Sequence, residues 1–398
     1  MRVSESPPVH LTYCLNVHPG ESWAENLDAI KKHARKVRDK ISGSRTYGLG
    51  LRVSARAAQT LGDAGELEAF RDFLARENLY AFTINGFPYG RFHDDPVKED
   101  VYRPDWRSED RLRYTIQLAD LLADILPAGC PGSISTVPCS FKPWITSKED
   151  RHCMVRNLVA CAQRLWQLSQ NRGVDISLGL EPEPCCYLES TDEFLRFYED
   201  ELLLHGLPIL KNSRGISAGS AESALRNHLG LCLDTCHLAL QFEELELSTR
   251  KVLEAGIRIT KVQISAALEV ENRPRQRDAL RPFAEPVYLH QVKRENPGGL
   301  PDSWTDLPEA LRELHGQDDD RRIRVHFHVP LFWEGAAELG TTAPGLTPEF
   351  FSMLRRGDCS HLEIETYTFD VLPAALKDGD VVASIVKEHE WVLERLTG

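Results

Sequence analysis

The sequence has no apolar stretch approaching the roughly 20 residues that a membrane-spanning helix needs. It also lacks an excess of positive charge. Against 60 Asp and Glu stand 47 Lys and Arg, a formal net charge of -13. That balance argues against a non-specific binder of nucleic acid or of anionic membrane, since either needs a basic face. Neither GxGxxG nor GxxxxGK[ST] occurs, which lowers the odds of a nucleotide-binding open sheet. There is no short internal repeat and no low-complexity segment. Residues Met1 to His10 lack the charged-then-apolar build of a signal peptide, so the expected address is the cytoplasm. The ten cysteines include no CxxC pair, and Cys185 and Cys186 are adjacent, which is neither a zinc ribbon nor a thioredoxin motif. Cys14 and Cys232 lie inside apolar runs, where cysteine behaves as a small hydrophobe, and buried free thiols are expected.

What is present is ordinary globular material. The hydrophobic fraction is 42% and the charged fraction 27%, enough to bury a sizeable core. Short apolar runs alternate with segments of helical spacing. Strands are predicted at 11–17, 47–53, 80–84, 132–137, 176–181, 229–234, 259–264, 322–329 and 362–367. Helices are predicted between them, including Trp23 to Ile41, Leu112 to Leu126 and a closing helix from Val381 to Leu396. Thr146 with Glu149 reads as a capping box, Ser190 with Glu193 as a cap, and Thr347-Pro348 as an N-cap and N1 pair. Such alternation implies parallel βαβ units. Eight of them favour a (β/α)8 TIM barrel in a single domain over residues 1–398. Nine candidates for eight places leave one over. The strand at 322–329 is expected to be the addition, inside an insertion-like segment at 265–345 between the seventh and eighth strands.

Two of the runs end abruptly in an acid. Ile176 to Leu180 is followed by Glu181, and Leu229 to Leu233 by Asp234, with His237 three residues on. In a parallel barrel the C-terminal strand ends carry the reactive groups. A third acidic run, Leu362-Glu-Ile-Glu-Thr-Tyr-Thr368, belongs to the last strand, where Glu363 and Glu365 share a face by alternation. Glu365 is nearer the end and is the preferred ligand, with Glu363 deeper and paired. Any single acid is more often a cap or a salt-bridge partner. Three converging acids repel strongly in a low dielectric, and a divalent cation (Mg2+, Mn2+ or Zn2+) compensates them. Gln263 on the seventh strand offers an amide oxygen at the same depth. His326 and His328 share a face of the extra strand and could bring an imidazole to the same ion. His237 sits too far past its strand for a strand-end ligand and reads as a substrate contact. His18, Arg52, Asn85 and Lys142 follow the ends of the first four strands and could line the pocket mouth, although turn or salt-bridge roles suit them as well. Two long segments, Tyr89 to Trp106 and Ser265 to Asp306, are expected to close over the C-terminal face as a lid. Their aromatics Phe92, Tyr102, Trp106 and Tyr288 would exclude water.

Several stretches carry a family likeness: Leu11-Thr-Tyr-Cys-Leu-Asn-Val-His-Pro-Gly-Glu-Ser-Trp23, Thr83-Ile-Asn-Gly-Phe-Pro-Tyr89, Val101-Tyr-Arg-Pro-Asp-Trp106 and Gly132-Ser-Ile-Ser-Thr-Val-Pro138. Leu233-Asp-Thr-Cys-His237, Lys261-Val-Gln-Ile-Ser265, His326-Phe-His-Val-Pro330 and Glu363-Ile-Glu-Thr-Tyr-Thr368 complete the set. On these the chain resembles the EboE-type metabolite-traffic proteins, within the xylose-isomerase-like TIM-barrel superfamily of sugar isomerases and epimerases. The resemblance implies a metal centre of Glu, Asp, His and Glu from strands five to eight. Carried over, those roles fall on Glu181, Asp234, the strand-seven position and Glu365. It further implies that Glu181 and Glu365 move the proton, one on each face of the substrate, and that His237 touches substrate. The chain departs from the pattern at Gln263, where the superfamily has His, and so His326 and His328 remain candidates, His328 as a ligand and His326 as a substrate contact.

These readings favour a cytoplasmic, metal-dependent enzyme that moves a proton next to a carbonyl of a small polyhydroxylated metabolite. The alternatives are a non-catalytic metabolite carrier that uses the same barrel mouth, and a metal-dependent hydrolase of the endonuclease IV type, which the acidic charge disfavours. A small molecule is the expected partner, with no nucleic acid, no membrane span, and homo-oligomerisation left open.

Overall fold

Short runs of Leu, Ile, Val, Ala and Gly, buried along almost their whole length, build the centre of the molecule. The computed structural model describes residues 1–90, 98–212, 216–217, 219–373, 377 and 379–397. An edge strand β1 (Arg2–Glu5) precedes the barrel strands β2 (Pro8–Tyr13), β3 (Tyr47–Arg52), β4 (Leu79–Asn85), β5 (Gly132–Thr136), β6 (Ile176–Leu180), β7 (Leu229–Asp234) and β8 (Ile259–Ile264). The eighth barrel strand, β14 (His361–Ile364), comes only after a long insertion. Neighbouring strands from β3 to β8 pair in parallel in chain order, β8 pairs with β14, and β14 with β2. The ring closes where Cys14 bridges Gly50 in parallel and Thr12 Oγ1 donates to Gly48 O at 2.8 Å. The chain is therefore a (β/α)8 barrel, with β1 added antiparallel to β2.

Helices follow the strands on the outside. The longest, Lys148–Arg172, begins at a capping box of Ser147 and Asp150 and stops at Gly173 in the left-handed region, φ 66°. The box thus lies one residue beyond the predicted Thr146 and Glu149. Ser147 Oγ accepts from Asp150 N at 3.1 Å, while Asp150 Oδ2 accepts from Ser147 N at 2.9 Å. Ser190 and Thr347 cap their helices as predicted. The first strand is shorter and earlier than predicted, because Leu15–Val17 coils into a 3-10 turn at the barrel mouth. The last strand likewise ends at Ile364, leaving Glu365 just beyond it. Among the described residues no helix is long and apolar enough to cross a membrane.

The insertion between β8 and β14 forms a second, wholly antiparallel sheet. It comprises β9 (Ala267–Glu271), β10 (Val292–Arg294), β11 (Asp302–Trp304), β12 (Arg322–His328) and β13 (Gly340–Thr341), in the order β11-β10-β12-β9-β13. The predicted extra strand is β12, and it lies outside the barrel. Its partners were not predicted. They are two to five residues long and are joined by ion pairs across their faces, Arg294 with Asp302 and Arg324 with Glu269. Buried Leu268, Val270, Val292, Ile323 and Val325 connect this sheet to the same apolar core as the barrel.

Candidate metal centre at the barrel mouth

Alternation along the strands decides what reaches the inside of the barrel. On β7, Cys232 and Asp234 point the same way, on β8 Lys261 and Gln263, and around the end of β14 Glu363 and Glu365. The lower layer is an ion pair: Lys261 Nζ donates to Glu363 Oε2 at 2.6 Å, with both side chains fully buried. Above it stand Glu181, Asp234 and Glu365, whose ligand oxygens lie within 4.8 Å of one another. They form the base of a cavity of about 60 Å3, room for a few water-sized ligands.

Each acid is held differently. Asp234 caps the short helix that follows it. Its Oδ1 accepts from Cys236 N at 2.7 Å, His237 N at 3.2 Å and Ser265 Oγ at 2.6 Å, while Oδ2 has no hydrogen-bond partner. Glu365 Oε1 accepts from the amides of Asn16 at 2.6 Å and Asn85 at 3.1 Å, and its Oε2 is likewise unpartnered. Glu181 has the Cys232 thiol beside it at 3.8 Å. Burial pushes the carboxyl of Glu181 well above the usual range, and the charges of Glu365 and Asp234 push the same way. Burial does the same to Glu365, reinforced by Asp234 and Glu363. Lys261 works against both shifts. Two buried, unpartnered carboxylate oxygens beside a third acid are a donor set that fits a divalent cation.

Three imidazoles line the wall next to the acids. His237 comes from the helix after β7, and His326 and His328 from the end of β12. Their Nε2 atoms face one another, His237 to His326 at 3.0 Å and His326 to His328 at 3.3 Å. Asp234, His237 and His328 form one cluster of close ligand atoms, and Cys236, His326 and His328 another. Over the top lie Phe87, Val101, Tyr288, Leu289 and Tyr367, so both long segments contribute to the C-terminal face. Tyr102 and Trp106 are buried beneath it, donating to Glu183 Oε1 at 2.9 Å and to Thr136 Oγ1 at 3.2 Å. Phe92 lies outside the described residues.

The structure thus brings Glu181, Asp234, Glu365, Asn85, His237, His326 and His328 to one cavity. Other predicted residues sit elsewhere. Gln263 is not among the residues that line the cavity, and its Oε1 accepts from the Cys232 thiol at 2.9 Å. His18 contacts Tyr13 Oη through Nε2 at 2.9 Å and stacks on His33. Arg52 braces the neighbouring loops, donating to the carbonyls of Gly20 and Gly90. Lys142 is half exposed and pairs with Glu189 and Glu193. Sequence reasoning did not single out Asn16, Glu183 or Gln291. Glu183 carried a signal, standing two residues after Glu181 in Glu-Pro-Glu, whereas Gln291 carried none.

No family model matches the chain, and no curated protein matches it. Solved structures similar to it include an IolI protein with a bound zinc atom, at 11% identity and a TM-score of 0.46 over 98% of both chains. An L-ribulose 3-epimerase is similar at 12% identity and a TM-score of 0.48, over 98% of this chain and 94% of that one. A xylose isomerase domain protein from Alicyclobacillus acidocaldarius shows 13% identity and a TM-score of 0.46, over 98% of this chain and all of the other. Likeness at this level assigns no chemistry to this chain.

Proposed function

We propose that this protein is a cytoplasmic, EboE-type enzyme of the sugar isomerase and epimerase kind. It binds one divalent ion on Glu181, Asp234 and Glu365 and moves a proton next to the carbonyl of a small polyhydroxylated metabolite. The observation that carries this reading is the convergence of three buried acids, two of them with an oxygen free of any hydrogen bond, at the base of a roofed cavity.

The residues divide the work. Asp234 is fixed by three donors on one oxygen and presents the other. Asn16 and Asn85 hold one oxygen of Glu365 and so orient the second. Among the described residues Glu181 has neither an arginine nor a lysine as a direct partner, and burial, with the charges of Glu365 and Asp234, raises its pKa, which favours proton uptake by this carboxylate. Phe87, Tyr288 and Tyr367 exclude water, which lowers the local dielectric and protects the carbanion-like centre from solvent protons. A bound Mn2+, Mg2+ or Zn2+ ion would polarise the carbonyl and acidify the adjacent C–H. A carrier that holds the metabolite without turnover is favoured only by Gln263, an amide that cannot act as a base and that is engaged with Cys232.

The test is a thermal melt with chelator and with each ion, for the parent, Asp234→Ala and Glu365→Gln. It is followed by NMR of candidate aldoses and ketoses in D2O. A metal-induced rise in Tm that both variants lose, with C–H exchange abolished by Glu181→Gln, is expected. No response of the parent to any ion would overturn the metal centre. Metal binding without exchange for any substrate that binds would leave the carrier.

A further inference from the structure

The imidazole wall has a property that one ion on the carboxylates does not explain. Each ring has its Nδ1 against an oxygen acceptor: His237 against Pro182 O at 2.9 Å, His326 against Gln291 Oε1 at 2.6 Å, and His328 against Glu365 O at 2.6 Å. Carbonyl oxygens cannot donate, so these three Nδ1 atoms carry the hydrogens. The orientation of the Gln291 amide is fixed independently. Its nitrogen donates to Tyr102 Oη at 2.8 Å, Glu183 Oε1 at 3.1 Å and Pro184 O at 3.2 Å, which leaves only the oxygen for His326. In neutral rings all three Nε2 atoms are then bare lone pairs. Yet they face one another at 3.0 and 3.3 Å, in rings at most 4% exposed. Lone pairs so placed repel unless a proton or a metal ion lies between them, and one proton makes a linear bridge across only one of the two contacts.

The spacing also fits a metal ion. Ligands about 2.0–2.1 Å from a tetrahedral Zn2+ stand about 3.3 Å from one another. A fourth donor is at hand in Asp234, whose unpartnered Oδ2 is 3.9 Å from His237 Nε2, and Cys236 belongs to the cluster of His326 and His328. We propose that His237, His326 and His328 form a second metal site, for a zinc-class divalent ion, which shares Asp234 with the carboxylate site. Its nitrogen-rich donors select a borderline ion, while the all-oxygen set of Glu181, Asp234 and Glu365 accepts harder ones. Gln291, the Pro182 carbonyl and the Glu365 carbonyl act as positioning groups that hold the rings in one tautomer.

The experiment uses the full chain, stripped with chelator and titrated with Zn2+ or Co2+, the bound metal being counted by elemental analysis after desalting. The parent should hold two ions. With Co2+ it should show the strong visible absorption of a four-coordinate nitrogen site. His326→Ala should hold one ion and lose that absorption. Glu365→Gln should keep the absorption whether or not the carboxylate site still binds, which separates failure of this site from failure of the first. Should His326→Ala misfold, as read by circular dichroism, Gln291→Leu leaves all three ligands in place and should weaken Zn2+ binding at this site by about 10–100-fold. A parent that shows no such absorption at saturating Co2+, or a His326→Ala that keeps it, overturns the proposal, whatever the carboxylate site holds. Parent-like Zn2+ affinity in Gln291→Leu overturns the positioning role.

Discussion

Replacing Lys261 with Met tests whether the barrel interior is set electrostatically, as its layers imply. Lys261 Nζ and Glu363 Oε2 are 2.6 Å apart, and neither side chain is exposed at all. At an effective dielectric near 20 that separation is worth about 6 kcal/mol of attraction, most of it offset by desolvation of the two ions. Met has nearly the length and flexibility of the lysine stem, so packing changes little. What Lys261→Met does is strand a buried carboxylate beside two more, at a cost of about 3–5 kcal/mol. The lysine also holds down the pKa values of Glu181 and Glu365, so its loss should raise both and weaken metal binding at neutral pH. Urea unfolding of metal-free parent, Lys261→Met, Glu363→Gln and the double variant measures the cycle. Each single variant should lose several kcal/mol, and the double variant at least ~2 kcal/mol less than the sum. Single losses below about 1 kcal/mol, or strict additivity, would refute the claim that the pair acts as a unit.

Two other outcomes follow from the packing and the charges. Gly230→Ala should destabilise the barrel by about 1–3 kcal/mol or more in urea unfolding, because an added Cβ would lie 2.1 Å from the backbone oxygen of Arg258 on the neighbouring strand segment. Glu388 is fully buried, and burial lifts its pKa from 4.5 to about 7 against hydrogen bonds from Thr366 and Leu331 N. The folded state thus keeps a proton that the unfolded state releases, and stability present below about pH 4.5 is lost as pH rises towards 7. Glu388→Gln, which keeps the accepting oxygen, should be near neutral in effect at pH 4 and up to about 3 kcal/mol stabilising at pH 8. The raised carboxyls of Glu181 and Glu365 act with the same sign, so metal-free protein should melt lower as pH rises and metal should reverse the trend. A flat profile of Tm against pH for the metal-free parent would contradict both.

The barrel was legible because its strands are buried on both faces, and such strands leave continuous apolar runs that end where the chain meets solvent or an acid. Glu181, Asp234 and Glu365 could be named because each sits at such an end. The inserted sheet was mostly illegible. Of its five strands only β12 has an apolar alternation long enough to show, while β9, β10, β11 and β13 are short, the first three joined by cross-strand ion pairs and β13 by backbone pairing to β9. The place of Gln263 was beyond reach for another reason. Alternation sends its side chain inward, in register with Asp234 and Glu363, but its engagement with the Cys232 thiol one strand away leaves no local signature. The meeting of His237 with His326, 89 residues apart in the chain, is set by how the insertion folds back and leaves no local signature.

That fold-back is what brings imidazoles to the carboxylate cluster. The strand-seven position inside the barrel carries an amide, Gln263, which is tied to the Cys232 thiol. The insertion begins directly after that strand, and its longest strand, β12, returns two imidazoles to the same cavity from above. One of them, His328, is held through Nδ1 by the backbone carbonyl of Glu365, itself one of the three acids. The carboxylates therefore stand at barrel strand ends, the imidazoles of His326 and His328 come from the inserted sheet, whose connecting segment also brings Tyr288 and Leu289 to the cavity, and Asp234 lies in both clusters of close ligand atoms that include an acid. Any displacement of the inserted sheet moves His326 and His328 together relative to Asp234, because they share a face of one strand.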